Sequence, residues 1–371
     1  MNAKKPIGIY FHVPFCRGKC PYCDFYSVGV SESLLDQYTD ETIRRIRLLQ
    51  EEHITADTVY FGGGTPSLLG GQRICQIMSA VGECVFITDN AEITVEANPS
   101  ADLSECLRGC ASAGVNRLSL GMQSAVPREL SAIGRRHSPD DVLYNMETAH
   151  GAGIHNISLD FMLGIPHQTA ETLHTSLAFI KKAAPSHVSA YLLKIEEGTA
   201  FYRRRESLPV ADEDALADLY LQAFGTLETM GYEQYEISNA ARGDLVGRHN
   251  LKYWNDEEYI GIGPAAHGFY RGKRYFFGRN LKNYLSGIEP TFDCLGGDEE
   301  EYIMLRLRLS EGLTERGMTE RFGHGIPSAV SAKASAPPLS KFCICDERHI
   351  ALNRHGMLLS NAIIGALIDV L

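Results

Sequence analysis

The chain has 371 residues, 44% hydrophobic and 22% charged, which is ample for a large core and far from disordered, collagen-like or coiled-coil compositions. Its 35 Lys and Arg against 46 Asp and Glu leave a net charge of −11, a field that repels polyanions, so nucleic acid is not an expected partner. No run approaches the ~18 uncharged apolar residues of a transmembrane segment; the opening MNAKKPIGIYFHVPFC, broken by His12 and Pro14 and without a small-residue cleavage site, does not read as a signal peptide.

Taken in chain order, short β-rich runs alternate with longer amphipathic stretches. Strands are predicted at 7–13, 57–61, 92–97, 117–122, 156–163 and 187–193, and helical periodicity follows each, as in LLDQYTDETIRRIRLLQ and EDALADLYLQAFGTLETMG. This is an α/β pattern of repeated βα units around a parallel sheet, closed as a partial barrel or laid flat as a doubly wound sheet. Either way, ligands gather at the carboxyl ends of the strands. After about Gly243 the alternation gives way to the aromatic-rich HNLKYWNDEEYIGIGPAAHGFYRGKRYFFG, then to a mainly helical tail from near Asp298. Two domains are expected, 1–242 and 243–371. Within the second, HGIPSAVSAKASAPP (324–338) reads as a loop or mobile linker.

Directly after the first predicted strand, Cys16, Cys20 and Cys23 form a C-x3-C-x2-C array. A structural zinc site wants four closed ligands, whereas an iron–sulfur cluster on three cysteines leaves one iron open; His12 or Asp24 completing a zinc site is the alternative. Sparse cysteines, three of them crowded together, favour reduced thiols and a cytoplasmic setting. At the other strand ends stand Gly62, Gly63, Gly64 and Thr65, then Glu96, Gln123 and Asp160. Taken singly, each suits a turn or a satisfied polar group; their convergence at one end of the sheet is what suggests a site. Arg135 follows the fourth strand and can pair with a carboxylate in two parallel hydrogen bonds, with Arg136 as the competing assignment.

The cysteine spacing, with the aromatic Tyr22 before the third cysteine, resembles the radical S-adenosylmethionine superfamily. That resemblance implies a partial (βα)6 barrel, a [4Fe–4S] cluster held by Cys16, Cys20 and Cys23, and S-adenosyl-L-methionine on the open iron, cleaved to a 5′-deoxyadenosyl radical. The segments YFHVPFC, FGGGTP, VEANP, LSLGMQS, GRRHS and LDFMLGIPHQT resemble the branch of oxygen-independent coproporphyrinogen III oxidase and its heme-chaperone relatives, from Ile7 to the chain's end. By position, Tyr10, Gly63, Gly64, Thr65, Glu96, Gln123, Arg135 and Asp160 match that branch's cofactor contacts. The oxidases carry a fourth cysteine where this chain has Phe25, and a longer N-terminal extension. The H-N-x-x-Y-W run of His249, Asn250, Tyr253 and Trp254 looks like the chaperones' heme-binding motif, with His249 the natural iron ligand. The resemblance therefore implies heme as ligand and apo-hemoprotein clients as partners, at the membrane surface among other places, with a C-terminal accessory domain of mixed, mainly helical structure. Radical decarboxylation of coproporphyrinogen propionates, or a radical reaction on heme itself, are the alternatives. GIGPAA (261–266) matches a loose dinucleotide pattern but lacks its frame of parallel strand and ribose-binding acid. Cys343 with Cys345, and Cys106 with Cys110, read as ordinary thiols.

Overall fold

The computed structural model describes residues 5–100 and 103–371; the first four residues of the opening segment lie outside them. Six strands fall where the alternation places them: β1 (Ile7–Val13), β2 (Thr55–Gly63), β3 (Phe86–Ala97), β4 (Arg117–Gln123), β5 (Asn156–Leu163) and β6 (His187–Leu192). Each is followed by a crossover helix: α1 (Glu32–Arg47), α2 (Gly70–Cys84), α3 (Ser104–Ser112), α4 (Pro139–Gly151), α5 (Ala170–Ala183) and α6 (Glu213–Thr229). Side-chain caps start several of them, with Ser31 before α1, Asp212 before α6, and capping boxes at Ser138 and Thr169, each satisfying an amide that has no partner inside the helix.

The strands pair in parallel in the order β1-β2-β3-β4-β5-β6. Because strand side chains alternate, Ile9, Phe11, Val59, Phe61, Val95, Leu118, Leu120, Ile157, Leu159 and Val188 fall on one face, and all are buried in the main core. The other face carries Tyr10, His12, Thr58, Tyr60, Glu92, Glu96, Arg117, Ser119, Ser158, Asp160 and His187. This polar inner face is the part of the fold that bears on function.

The sheet continues on both flanks. On one side β7 (Glu233–Gln234) and β8 (Asn239–Ala241) extend it antiparallel beyond β6; on the other, β9 (Tyr259–Ile262) lies parallel to β1, followed by antiparallel β10 (His267–Tyr270), β11 (Lys273–Phe276) and β12 (Thr291–Leu295). The twelve-stranded sheet thus runs across the expected boundary at 242/243. A second core begins only with Tyr302 and Ile303 and includes Leu313, Met318, Ile350, Leu352, Ile363 and Leu367. In this unit 328–335, expected as loop or linker, is helix α7 (Ser328–Ser335) with Val330 and Ala334 buried; Ala and Ser are compatible with helix once an apolar stripe has something to pack on. GIGPAA does follow a parallel strand, but it leads into β10 rather than a helix, and a Cβ on Gly261 would lie 1.8 Å from the His267 carbonyl oxygen. These glycines serve backbone packing.

Candidate active site

The three cysteines lie on the loop leaving β1. Its entry is fixed by a short parallel pairing of Phe15–Cys16 with Val28–Gly29, and its far side by Phe201 N–H on Pro21 O (2.9 Å), Arg279 on the Asp24 carbonyl, and Leu281 N–H on Tyr26 Oη (2.8 Å). Cys16, Cys20 and Cys23 are half-buried free thiols, and burial, with Cys20 and Cys16 close by, pushes the Cys23 thiol up. Among the described residues no group of three His, Cys, Asp or Glu side chains is placed to hold a single metal ion.

A chain of contacts joins this loop to the strand ends. Cys16 Sγ lies 3.6 Å from Thr65 Oγ1, which accepts from Asn98 Nδ2 (3.0 Å); Arg135 donates through Nη1 to Asn98 Oδ1 and through Nη2 to Tyr22 Oη (3.0 Å). Tyr22 belongs to the cysteine loop itself, so the ring closes. Arg135 Nε is buried with no hydrogen-bond partner, while Arg136 is exposed. Asn98 was missed by the sequence reading, although it sits two residues beyond Glu96 in the quoted VEANP run.

Glu96 accepts from Tyr60 Oη (2.7 Å) and Asp160 from Ser119 Oγ (2.8 Å). Burial, reinforced by Asp160, pushes Glu96 up to about 7, while the Tyr60 hydroxyl, the Gly63 amide and Arg117 oppose the rise; burial also raises Asp160. Gln123 is buried with φ +63°, a conformation disfavoured for side-chain-bearing residues and typical of sites where surroundings impose it; its Oε1 accepts from Tyr191 (2.7 Å). Tyr10 hydrogen bonds His12 (3.1 Å). The glycines are also places where chain segments approach closely. A Cβ on Gly63 would meet the His12 ring at 2.7 Å, and one on Gly64 would meet Phe15 O at 2.6 Å and Val13 O at 2.8 Å. Gly64 therefore lets the cysteine loop lie directly on β2.

The H-N-x-x-Y-W segment follows β8. It forms a short helix, Arg248–Trp254, set against the inner face. His249 is 1% exposed; its Nδ1 pairs with Thr58 Oγ1 (2.8 Å) and its Nε2 with Tyr253 Oη (2.9 Å). Burial, then Lys252 and Arg117, hold this imidazole down to about 3. Trp254 instead lies under Arg308, 5.7 Å from the guanidinium carbon, and Asn250 is half-buried. The four residues do not present one porphyrin surface in this conformation. Phe25 is 66% exposed beside the cysteine loop.

Three free thiols on one loop, backed by a half-buried guanidinium and two carboxylates at the ends of a (βα)6 sheet, are the site of a radical S-adenosylmethionine protein, and residues 10–180 match the Radical SAM superfamily, a family that implies a [4Fe–4S] cluster and S-adenosyl-L-methionine. The chain is 36% identical over 327 residues to the heme chaperone HemW of Mycobacterium tuberculosis, covering 83% of each protein. It is 32% identical over 376 residues to heme chaperone HemW of Bacillus subtilis, covering 96% of this chain and 98% of that one. The chain belongs to the HemW family. Its fold matches the solved coproporphyrinogen III oxidase (HemN) of Escherichia coli, a radical SAM enzyme, with a TM-score of 0.84 at 20% identity over 99% of this chain and 91% of that one. Among the described residues no helix is long and apolar enough to cross a membrane.

Proposed function

We propose that this protein binds heme and hands it to apo-hemoproteins in the cytoplasm, including clients at the membrane surface, with an iron–sulfur cluster and S-adenosylmethionine as resident cofactors. The observation that carries this reading is the identity of 32% over nearly the whole chain to a protein named heme chaperone; the fold likeness to the oxidase supports architecture alone.

The donor set fits the cofactors. Three soft thiolates suit an iron–sulfur cluster, and in this reading Cys16, Cys20 and Cys23 supply them. When bound, the cluster supplies an electron to the sulfonium of S-adenosylmethionine. The protein's part is recognition: Arg135, with a buried Nε lacking a partner, suits the methionyl carboxylate, and Glu96 with Asp160 suits the amino and ribose hydroxyl donors. Thr65 and Asn98 orient Arg135 and Cys16 toward one another. His12, pushed down to about 4 by burial, stays neutral at physiological pH.

Ligation of heme iron by His249 through Nδ1 requires the Arg248–Trp254 helix to withdraw from the inner face, releasing Thr58; through Nε2 it requires the Tyr253 hydroxyl to move aside. The test is anaerobic: reconstituted protein is given heme and, separately, coproporphyrinogen. Stoichiometric heme binding with a Soret band, and no protoporphyrinogen, is the expected result. Robust decarboxylation would make the oxidase reading correct despite Phe25, and failure to bind heme would remove the chaperone reading.

A further inference from the structure

We propose that His249 is a positioning residue for the cofactor cleft, acting through Tyr60 on the carboxylate of Glu96; the proposal rests on the reading of Glu96 as a contact for S-adenosylmethionine. The imidazole stacks on the Tyr60 ring at 5.2 Å between centroids with 25° between planes, and faces Tyr10 at 6.3 Å and 26°. Tyr60 in turn donates its hydroxyl to Glu96 at 2.7 Å. Thr58 and Tyr60 occupy the same face of β2, so one strand carries both the His249 hydrogen bond and the ring on which His249 lies.

The helix that holds His249 is anchored from three sides. Glu92 of β3 accepts the Arg248 and His249 amides, each at 3.0 Å. Lys252 bridges Asp57 (2.8 Å) and Glu257 (3.2 Å). On β1 the position opposite the ring is Gly8, where a Cβ would lie 2.9 Å from His249 Cε1. One short helix thus touches inner-face residues of β1, β2 and β3, and the ring has little freedom to slide. Tyr60 is held by Glu96 through its hydroxyl and by the His249 and Tyr10 rings, His249 being the closer at 5.2 Å against 6.2 Å; removing the imidazole frees the Tyr60 ring to tilt away from Glu96.

The charge on Glu96 gives the device its readout. Groups facing it are Tyr60 and Gly63 on β2, Tyr10 on β1, Arg117 on β4, Asp160 on β5 and Tyr253 beside His249. The Tyr60 hydrogen bond favours the ionised carboxylate. Loosening it moves the ionisation upward, and at neutral pH more of the cleft is occupied by a carboxylic acid that no longer attracts a cationic amino group.

The experiment uses the full chain. In cofactor-free protein carrying 13C-labelled glutamate, the Glu96 midpoint, assigned from Glu96→Gln, is followed by NMR in the native chain, Tyr60→Phe, Thr58→Val and His249→Asn. The reconstituted forms are then titrated with S-adenosylmethionine. Expected are a higher Glu96 midpoint and about tenfold weaker binding at pH 7 in all three variants, and non-additive effects when His249→Asn and Tyr60→Phe are combined. Thr58→Val keeps the question open to refutation if His249→Asn folds poorly. Native binding in Glu96→Gln would overturn the cofactor reading of Glu96. Weakened binding in Glu96→Gln and Tyr60→Phe, with native midpoint and affinity in both Thr58→Val and His249→Asn, would overturn the positioning role alone.

Discussion

Gly64→Ala tests the claim that this glycine serves the contact between β2 and the cysteine loop. The new Cβ would stand 2.6 Å from Phe15 O, so the loop must retreat by about 0.8 Å to reach an ordinary contact of about 3.4 Å. Two backbone hydrogen bonds cross the same seam, Gly64 N–H to Val13 O and Thr65 N–H to Phe15 O, both 2.8 Å; that retreat takes them beyond useful range. Their loss costs about 1 kcal/mol each and overpacking a further ~1–3 kcal/mol. A total of roughly 3–5 kcal/mol lowers the thermal midpoint by ~4–6 °C in a chain of this size. Circular dichroism melts measure the fall, and iron and sulfide analysis after anaerobic reconstitution measures the damage to the loop that carries Cys16. Gly29→Ala is the control: that residue pairs with Cys16 across the short bridge, and its Cβ meets nothing within 4 Å. A native melt and full iron content in Gly64→Ala would show that the seam yields freely and that the steric reasoning is wrong.

Each of Cys16→Ala, Cys20→Ala and Cys23→Ala should fail to hold a four-iron cluster, since a three-ligand site has no spare anchor; full iron and sulfide in any one removes that residue from the ligand set. Glu96→Gln should stabilise the cofactor-free protein while weakening cofactor binding. Its carboxyl sits at about 7 against an ordinary 4.5, so the folded form holds its proton more tightly than the unfolded one. The resulting penalty is absent below pH 4.5, grows as pH rises toward 7, and reaches ~3 kcal/mol above it. Urea unfolding from pH 4.5 to 8 should fall in the native chain and lose that component in Glu96→Gln; parallel curves would contradict it. His249, held at about 3, works in the opposite sense: its contribution is intact above about 6.5 and is lost as pH falls toward 3, so His249→Asn should shallow the acid limb of the same curves.

Local signals carried the six central strands into the sequence reading, because each alternates β-branched or aromatic residues with polar ones and is followed by an amphipathic helix. The convergence of Glu96, Gln123 and Asp160 was legible for the same reason: position after a strand predicts position at the sheet's carboxyl end. The partner of β1 was not legible. Tyr259–Ile262 is four residues long and becomes a strand only because β1 offers a free edge some 250 residues earlier in the chain. The location of His249 was hidden likewise, since its neighbours Gly8, Thr58 and Tyr60 are remote in sequence and a small cleft on β1 leaves no local pattern. Asn98 could have been found by extending the same position-after-strand rule by two residues.

The clamp on the cysteine loop comes from the far end of the barrel: Arg279 reaches Asp24, Leu281 holds Tyr26, and β9 closes the open edge of β1. Synthesis runs from the N-terminus at about 5–20 residues per second, so a ribosome needs roughly 13–50 s between making Asp24 and making the arginine that pins it. Throughout that interval the thiols sit on a loop whose anchors on this side do not yet exist. Cluster insertion on the nascent chain therefore meets a pliant loop, and insertion after release meets a pinned one, which makes the order of translation and metal loading a kinetic property of the topology.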